Sequence, residues 1–570
     1  MDDRSQSPAK GMPSPALMAA IALAGVLAYA NTFTNDFVWD DASSVLVNKH
    51  VQDPTEFWQL FREDQHPFGR GAGNFYRPLV AASFMADFLA SYKAPAPDAP
   101  QRPIPDVSPF LFHVTNLAWH ILAAVFLCAI LLRLGASAWV CAIAPILFVI
   151  HPLHTEAVTY ISGRADPMAA AFGFLGIWLS LRDETAQRRW VGVIGGSLAF
   201  TAALMCKESA MIFPILLAII ALLRPSGGES MKTLCIRRAI PTGLWFAILI
   251  GYAVLRSTVL RFASSPPPPS TFGQRIIECG QSFAWYWKLI FIPNGLHMER
   301  SLEHTPLFVA FVGALLLLAM VAGFCWMLRH GRRLAALGIG WFLIAWFPIS
   351  GLIPLNAPMA EHWMYVPLAG FLCTLACFTE PLLAHPWPRR AVLAVVCTAI
   401  PALTAMTVIR NGDWRDNETL FRDTLAKNPK SSRVHFNLAV TYQDITKNIP
   451  GAKRHYEAVV ALYKEKKGPL GPGGNEPFWD EELESHLSLG RIYAGNRDYV
   501  QAAKHYETVL RITPDARHKD MVAEAALNMG QIALAGGQTN RAVDFFKKAL
   551  AANPELRQAI EQMIAAPARS

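Results

Sequence analysis

The sequence predicts an all-α protein in two parts: residues 1–409 as a multispanning membrane domain of about eleven helices with a large first external loop over 34–112, and residues 410–570 as an external α-solenoid of paired helices. Three observations carry this. Apolar stretches of about 17 to 23 residues, enough to cross a hydrocarbon core of about 30 Å, recur as far as Ile409. Hydrophobic residues make up 53% of the 570 and charged residues only 16%, outside the range of soluble globular chains. Beyond Arg410 the composition turns polar and a helical period of about 34 residues sets in.

The expected spans are 16–33, 113–133, 137–150, 165–181, 190–206, 208–224, 238–259, 307–328, 334–350, 362–383 and 389–409. The first follows Arg4 and Lys10 and contains Ala28-Tyr29-Ala30, the small-x-small form of a signal-peptidase site. With so many spans behind it, it is expected to remain as the first helix. Basic residues mark alternate loops: Arg133; Arg182, Arg188 and Arg189; Arg224, Lys232, Arg237 and Arg238; Arg329, Arg332 and Arg333; Arg389 and Arg390. The positive-inside rule turns these to the cytoplasm, with the N-terminus. Segment 272–292 carries Arg275, Glu278, Gln281 and Lys288, and a crossing there would throw Arg329 to Arg333 outside. It is expected to be an external or re-entrant helix. Loops 34–112, 151–164, 206–209, 260–306 and 351–361 then share the outer face with everything after Arg410. The net charge of +8 is spread over loops with no dense basic and aromatic patch, so nucleic acid is not an expected partner. Nine cysteines with no CxxC indicate neither a disulfide framework nor a zinc site.

Several polar stretches fall on that outer side. NDFVWDDASSVLVN holds Asp40 and Asp41 side by side, and neighbouring side chains in an extended or turn segment diverge. One can therefore face a cavity while the other caps a turn. NFYRPL adds Tyr76 and Arg77, whose guanidinium suits phosphate oxygens as well as it suits a snorkelling position. IHPLHTEAVTYISGRADP adds His151, His154, Glu156, Arg164 and Asp166, without the HExxH spacing of a zinc hydrolase. MCKESA places Lys207 and Glu208 in a tight connection, where they can simply pair. AEHWMYVP places Glu361, His362 and Tyr365 at a helix start, where a glutamate also serves the helix dipole. Each stretch alone has a structural explanation. Together, at one depth beside hydrocarbon that penalises unpaired charge, they form the expected site. Mixed carboxylates and cations fit an anionic lipid-linked substrate: a cation stabilises the departing phosphate while a carboxylate takes the proton of an attacking hydroxyl.

Taken in order, Asp40-Asp41, YRPL, HPLHTEAVTYISGRAD, KES and EHWMYVP, followed by NGDWRDNETLFRDTLAKNPKSSRVHFNLAVTY, resemble the transmembrane and tetratricopeptide-repeat O-mannosyltransferases of the GT-C glycosyltransferase superfamily. The resemblance covers nearly the whole chain. It implies a GT-C-type membrane domain and a donor sugar, with mannose as the candidate, carried on a polyprenyl or dolichyl phosphate. It further implies inverting transfer to Ser or Thr hydroxyls of exported proteins, with an acidic base in the first external loop. That base maps onto Asp41 or Asp40, with Asp41 preferred. Arg77, Arg164, Lys207, His154 and His362 are the expected donor and phosphate ligands. Tyr76, His151, Glu156, Asp166, Glu208, Glu361 and Tyr365 are expected to orient substrates. The family often has Glu-Arg where this chain has Glu361-His362, which detracts from a phosphate role there. No resident cofactor or metal is expected, although some superfamily relatives use a divalent ion. Two other readings remain open: transfer of a lipid-linked oligosaccharide or modification of a lipid, and a membrane-anchored scaffold acting through its repeats.

The repeats follow the tetratricopeptide pattern. Leu489, Gly490, Tyr493, Ala502, Tyr506 and Pro514 make the clearest unit; Met529, Gly530, Ala542, Phe546, Ala549 and Pro554 make a second; Leu438, Ala439, Tyr442, Ala452 and Tyr456 make an earlier, lengthened one. Phe421, Thr424 and Pro429 end a partial unit. KKGPLGPGGNEPFWDEE should loop out between units, and SSPPPPS and KAPAPDAPQRPIP read as stiff spacers. The groove of stacked repeats is expected to recruit the acceptor protein. Compact external loops point to a bacterial inner membrane, with the repeats in the periplasm.

Overall fold

The computed structural model describes residues 12–65, 75–93, 105–181, 186–223, 231–260, 271–467, 480–512 and 518–565. SSPPPPS, most of KAPAPDAPQRPIP and the insertion at 468–479 lie outside these. Among the described residues the chain is helical, and its one isolated β-bridge joins Tyr92 to Val107. It divides into two compact units, Met1–Asp416 and Asn417–Ser570.

In the first unit each expected span falls on a helix, but the helices are of two kinds. Pro15–Thr34, Phe110–Arg133, Ala239–Thr258, Leu307–Arg329, Glu361–Ala384 and Pro386–Asp413 are long and apolar enough to cross a membrane. Ala138–Ile150 with Pro152–Val158 makes a seventh if that bent pair is one span. The protein is thus a multi-pass membrane protein with six or seven full-length candidates among the described residues, where about eleven spans are expected. Glu208–Leu223 and Arg333–Ile349 are shorter apolar helices, and Trp190–Cys206 is the described apolar part of the helix Ala186–Cys206. At 1.5 Å per residue, 16 or 17 residues reach only about 25 Å, short of the hydrocarbon thickness. Much of their surface faces other helices instead; Arg333–Trp346 buries ten of its fourteen residues.

The 52° break in the seventh candidate follows from its sequence. Pro152 cannot donate a backbone hydrogen bond and holds His151 in extended backbone (φ −75°, ψ 130°), so the helix ends at Ile150. The chain then runs through three short helical turns to Arg164, and nearly every residue from His151 to Arg164 is buried. The polar stretch between two apolar runs is therefore an interior element. Segment 272–292 forms one helix, Phe272–Phe291, with a capping box at Thr271 and Gln274. It packs on Leu307–Arg329 where two glycines meet: a Cβ on Gly280 would stand 2.6 Å from the Ala310 carbonyl oxygen. The first long loop packs Val45, Val51, Phe84, Phe88 and Phe112 into an apolar core that it shares with Ile161, Met168 and Cys206.

The second unit carries three helix pairs: Ser432–Val440 with Ile449–Lys467, Asp480–Gly495 with Tyr499–Val509, and Lys519–Ala535 with Thr539–Ala552. The repeat pattern explains the packing. A Cβ at Gly490 would lie 2.4 Å from the Tyr506 ring, and one at Gly530 2.4 Å from the Phe546 ring, so only glycine lets each pair close.

Two imidazole pairs recur at matching repeat positions. His435 meets His455 with Nδ1 to Nδ1 at 2.8 Å, and His486 meets His505 at 2.9 Å. His435 and His486 stand where the tetratricopeptide consensus has tryptophan, three residues before Leu438 and Leu489. Burial lowers His455 to about 4, helped by His435, Arg454 and Arg422, and burial also lowers His435 and His505. The sign follows: a histidine depressed in the folded state leaves the unfolded chain binding more protons, so its stabilisation is full above about pH 6.5 and lost as pH falls toward 4. Hydrogen exchange on the full chain in detergent should show residues 432–467 and 480–509 losing protection between pH 7 and pH 5. A His455→Phe, His505→Phe variant should lose less. Equal acid sensitivity in the variant would show that the pairs are not its source.

Candidate functional site

The site starts from the first loop. Asp41 is fully buried, and its carboxylate accepts three hydrogen bonds from the backbone and one hydroxyl: Oδ1 from the Ser162 N–H and Oγ at 2.7 Å each, and Oδ2 from the Val38 N–H at 3.0 Å. Burial pushes this carboxyl up to about 7 in spite of those bonds. Asp40 is only partly buried; its backbone carbonyl accepts from Ser44 N–H and Ser43 Oγ. The expected divergence of the two aspartates is what the turn provides. Asp41 ties the first loop to the 151–164 segment, and Asp40 is left at its edge.

That segment carries the next part. Asn116, on the Phe110–Arg133 helix, donates to the carbonyls of Val158, Tyr160 and Ile161 and fixes the turn. Tyr160 stacks between Trp39 and Trp414, each ring centroid 5.4 Å away. Trp414 in turn lies against the Arg410 guanidinium, 5.7 Å from the ring centroid. Arg410 reaches Asp413 at 3.0 Å and Glu361 at 3.7 Å. On the other side of Glu361 stands Arg300, at 3.9 Å. Glu361 Oε1 accepts from the His297 N–H, and Glu156 accepts from the His362 backbone N–H at 3.0 Å and pairs with its Nδ1 at 2.9 Å. One continuous set of contacts thus joins Asp40 and Asp41 to Glu156, Glu361, His362, Arg300 and Arg410.

The remaining expected residues are placed differently. Arg164 is fully buried with each nitrogen committed: Nε to Asn116, one terminal nitrogen to Ser83 and the other to the Phe112 carbonyl and to Asp87 at 2.5 Å. It braces the fold and offers a phosphate no free nitrogen. Lys207 is buried and paired with Asp166 at 2.7 Å, and Arg77 grips Glu208 through two nitrogens at 2.8 and 3.3 Å. The expected cations Arg77 and Lys207 and the expected orienting acids Glu208 and Asp166 therefore neutralise one another, and Asp87 neutralises Arg164. Tyr76 donates to the Phe61 carbonyl beside it. His151 donates through Nε2 to the Ile290 carbonyl and accepts the Leu153 N–H at Nδ1, which leaves no nitrogen for a ligand. Tyr365 is fully buried against His120 at 2.6 Å. His154 is sealed between Phe148 and Tyr365, with ring centroids 4.5 Å away. Among the described residues, no group of three or more His, Cys, Asp and Glu could hold a metal ion.

The sequence reading missed Arg300, Arg410, Trp39, Tyr160 and Trp414. A signal for Arg410 existed: a cation at the outer end of the last expected span, where the charge rule leaves few. Trp39 carried none, because its left-handed backbone (φ 53°) shows only in the structure.

The Tetratricopeptide repeat family matches residues 481–555. The chain is 25% identical over 491 residues to the Homo sapiens protein O-mannosyl-transferase TMTC4, covering 76% of this chain and 64% of that one. It is 24% identical to the Mus musculus protein O-mannosyl-transferase TMTC3, covering 93% of this chain and 59% of that one. A stretch of 227 residues, 38% of this chain and 24% of the other, is 33% identical to the Drosophila melanogaster protein O-mannosyl-transferase Tmtc1. The chain spans about three-fifths of the length of the first two. These relatives bear out the resemblance to the transmembrane and tetratricopeptide-repeat O-mannosyltransferases that the motifs carry along the chain.

Proposed function

We propose that the chain is a membrane glycosyltransferase that moves mannose from a polyprenyl-phosphate donor to Ser or Thr hydroxyls of exported proteins, with inversion at the anomeric carbon. The observation that carries this is the meeting of two arginines, Arg300 and Arg410, on the carboxylate of Glu361, linked through Trp414 and Tyr160 to a partly exposed aspartate, Asp40. With Asp413 also on Arg410, two guanidinium groups stand against two carboxylates, and it is their planar forks of N–H donors that suit phosphate oxygens. The names of the relatives supply the sugar and the acceptor class.

The acceptor hydroxyl oxygen attacks C1 of the sugar while its proton passes to Asp40. The bond from C1 to the phosphate oxygen breaks on the opposite face, and the electron pair leaves with the lipid phosphate. Arg300 and Arg410 stabilise that charge as it develops, and the Glu156–His362 pair orients the phosphate or the acceptor. Asp41 shapes the loop from which Asp40 projects. The site lies on the external face, the repeats recruit acceptor protein, and no metal takes part.

The test is transfer by the purified full chain from polyprenyl-phosphate mannose to a Ser/Thr peptide, read by mass spectrometry. One hexose per site, with inverted configuration and no loss in a chelator, is the expected result. Hexose found on lipid alone, or activity abolished by chelator and restored by a divalent ion, would overturn the reading.

A further inference from the structure

We infer that Tyr160 is the positioning residue of the Asp40 carboxylate, clamped for that task between Trp39 and Trp414; the inference rests on the transferase reading above. Three constraints meet on this residue. Its ring is held on both faces, with interplanar angles of 22° to Trp39 and 28° to Trp414. Its carbonyl oxygen accepts from Asn116 at 3.0 Å. Its hydroxyl lies against the side chains of Asp40 and Ser162. A phenol fixed at ring, backbone and hydroxyl is a rigid donor, which a carboxylate on a turn needs if it is to meet the acceptor proton in one geometry.

The clamp also explains Trp39. A tryptophan in left-handed backbone stores strain, and such strain persists only where surrounding contacts impose it. Trp39 immediately precedes Asp40, so seating the Trp39 ring on Tyr160 fixes the direction in which the Asp40 side chain leaves the chain. Trp414 brings the opposite face of the clamp from the end of the helix that carries Arg410. One phenol thereby spaces the base from the cation. Burial, followed by the charges of Asp40 and Asp41, holds the phenol well above its ordinary range, so it remains a donor at working pH. A packing role alone would need only the ring, and phenylalanine would serve.

The test is Tyr160→Phe in the full chain, which keeps both ring contacts. The expected result is a fall in kcat of about tenfold with donor KM within about twofold. A readout independent of transfer is carbodiimide labelling with peptide mass spectrometry, using the exposed Asp36 as internal reference. In the wild-type protein at pH 6, Asp40 should label several-fold more slowly than Asp36, and in Tyr160→Phe the gap should close. An unchanged gap together with an unchanged kcat would overturn the inference. A wild-type protein that transfers no sugar would overturn the transferase reading instead, while the labelling ratio still decides the role of Tyr160.

Discussion

Asp40→Asn is expected to lower kcat for sugar transfer by a factor of about 10² to 10⁴, with donor KM changed by no more than about threefold. Asparagine keeps the size and the backbone contacts of Asp40 but cannot take a proton, so the loss falls on the chemical step. Asp41→Asn is expected to act by another route. Asp41 accepts three hydrogen bonds in a buried setting, and an amide has one nitrogen that must then face a donor. An unsatisfied buried donor costs about 1 to 3 kcal/mol, so this variant should lose thermal stability and about tenfold in rate. The pH response separates the two further. A carboxyl raised in the folded state to about 7 contributes stability below about pH 4 that is lost as pH rises through 7, and Asp41→Asn should remove that slope while Asp40→Asn keeps it. A well-folded, inactive Asp41→Asn beside an active Asp40→Asn would return the base assignment to Asp41.

Why the sequence pointed first to Asp41 is a matter of exposure. Adjacent aspartates are equivalent in a string, and only the turn that seats one of them under Ser162 makes them different. The same limit applied to the cations. Arg77, Arg164 and Lys207 lay in the motifs that carry the family resemblance, yet three acids, Glu208, Asp87 and Asp166, neutralise them, and Asp87 sits in an apolar helix where nothing marked it as a partner. Periodicity and composition did reach the helical class, the helix positions and the repeat glycines, because those depend on contacts within about 35 residues. Helix length against the bilayer was harder. An apolar run reads alike whether it faces lipid or other helices, and Arg333–Trp346 does the latter.

Arg410→Met should lower kcat by about 10² to 10³ and raise donor KM, because it removes one of two guanidinium groups from beside Glu361. Arg410→Lys should recover part of the rate, since an ammonium keeps the charge but not the planar fork. The contrast is Arg164→Met. That residue has no nitrogen to offer a substrate, and removing it strands Asp87 as an unpaired charge in a buried site, at a cost of about 3 to 5 kcal/mol. Its expected signature is poor folding, with donor KM unchanged in whatever protein survives. Thermal melts in detergent alongside donor titrations on the two methionine variants therefore distinguish a charge that meets the phosphate from one that holds the loops in place. If Arg164→Met folded normally and raised donor KM while Arg410→Met left both constants alone, the phosphate would have to lie beside Arg164, and the cation roles assigned here would exchange.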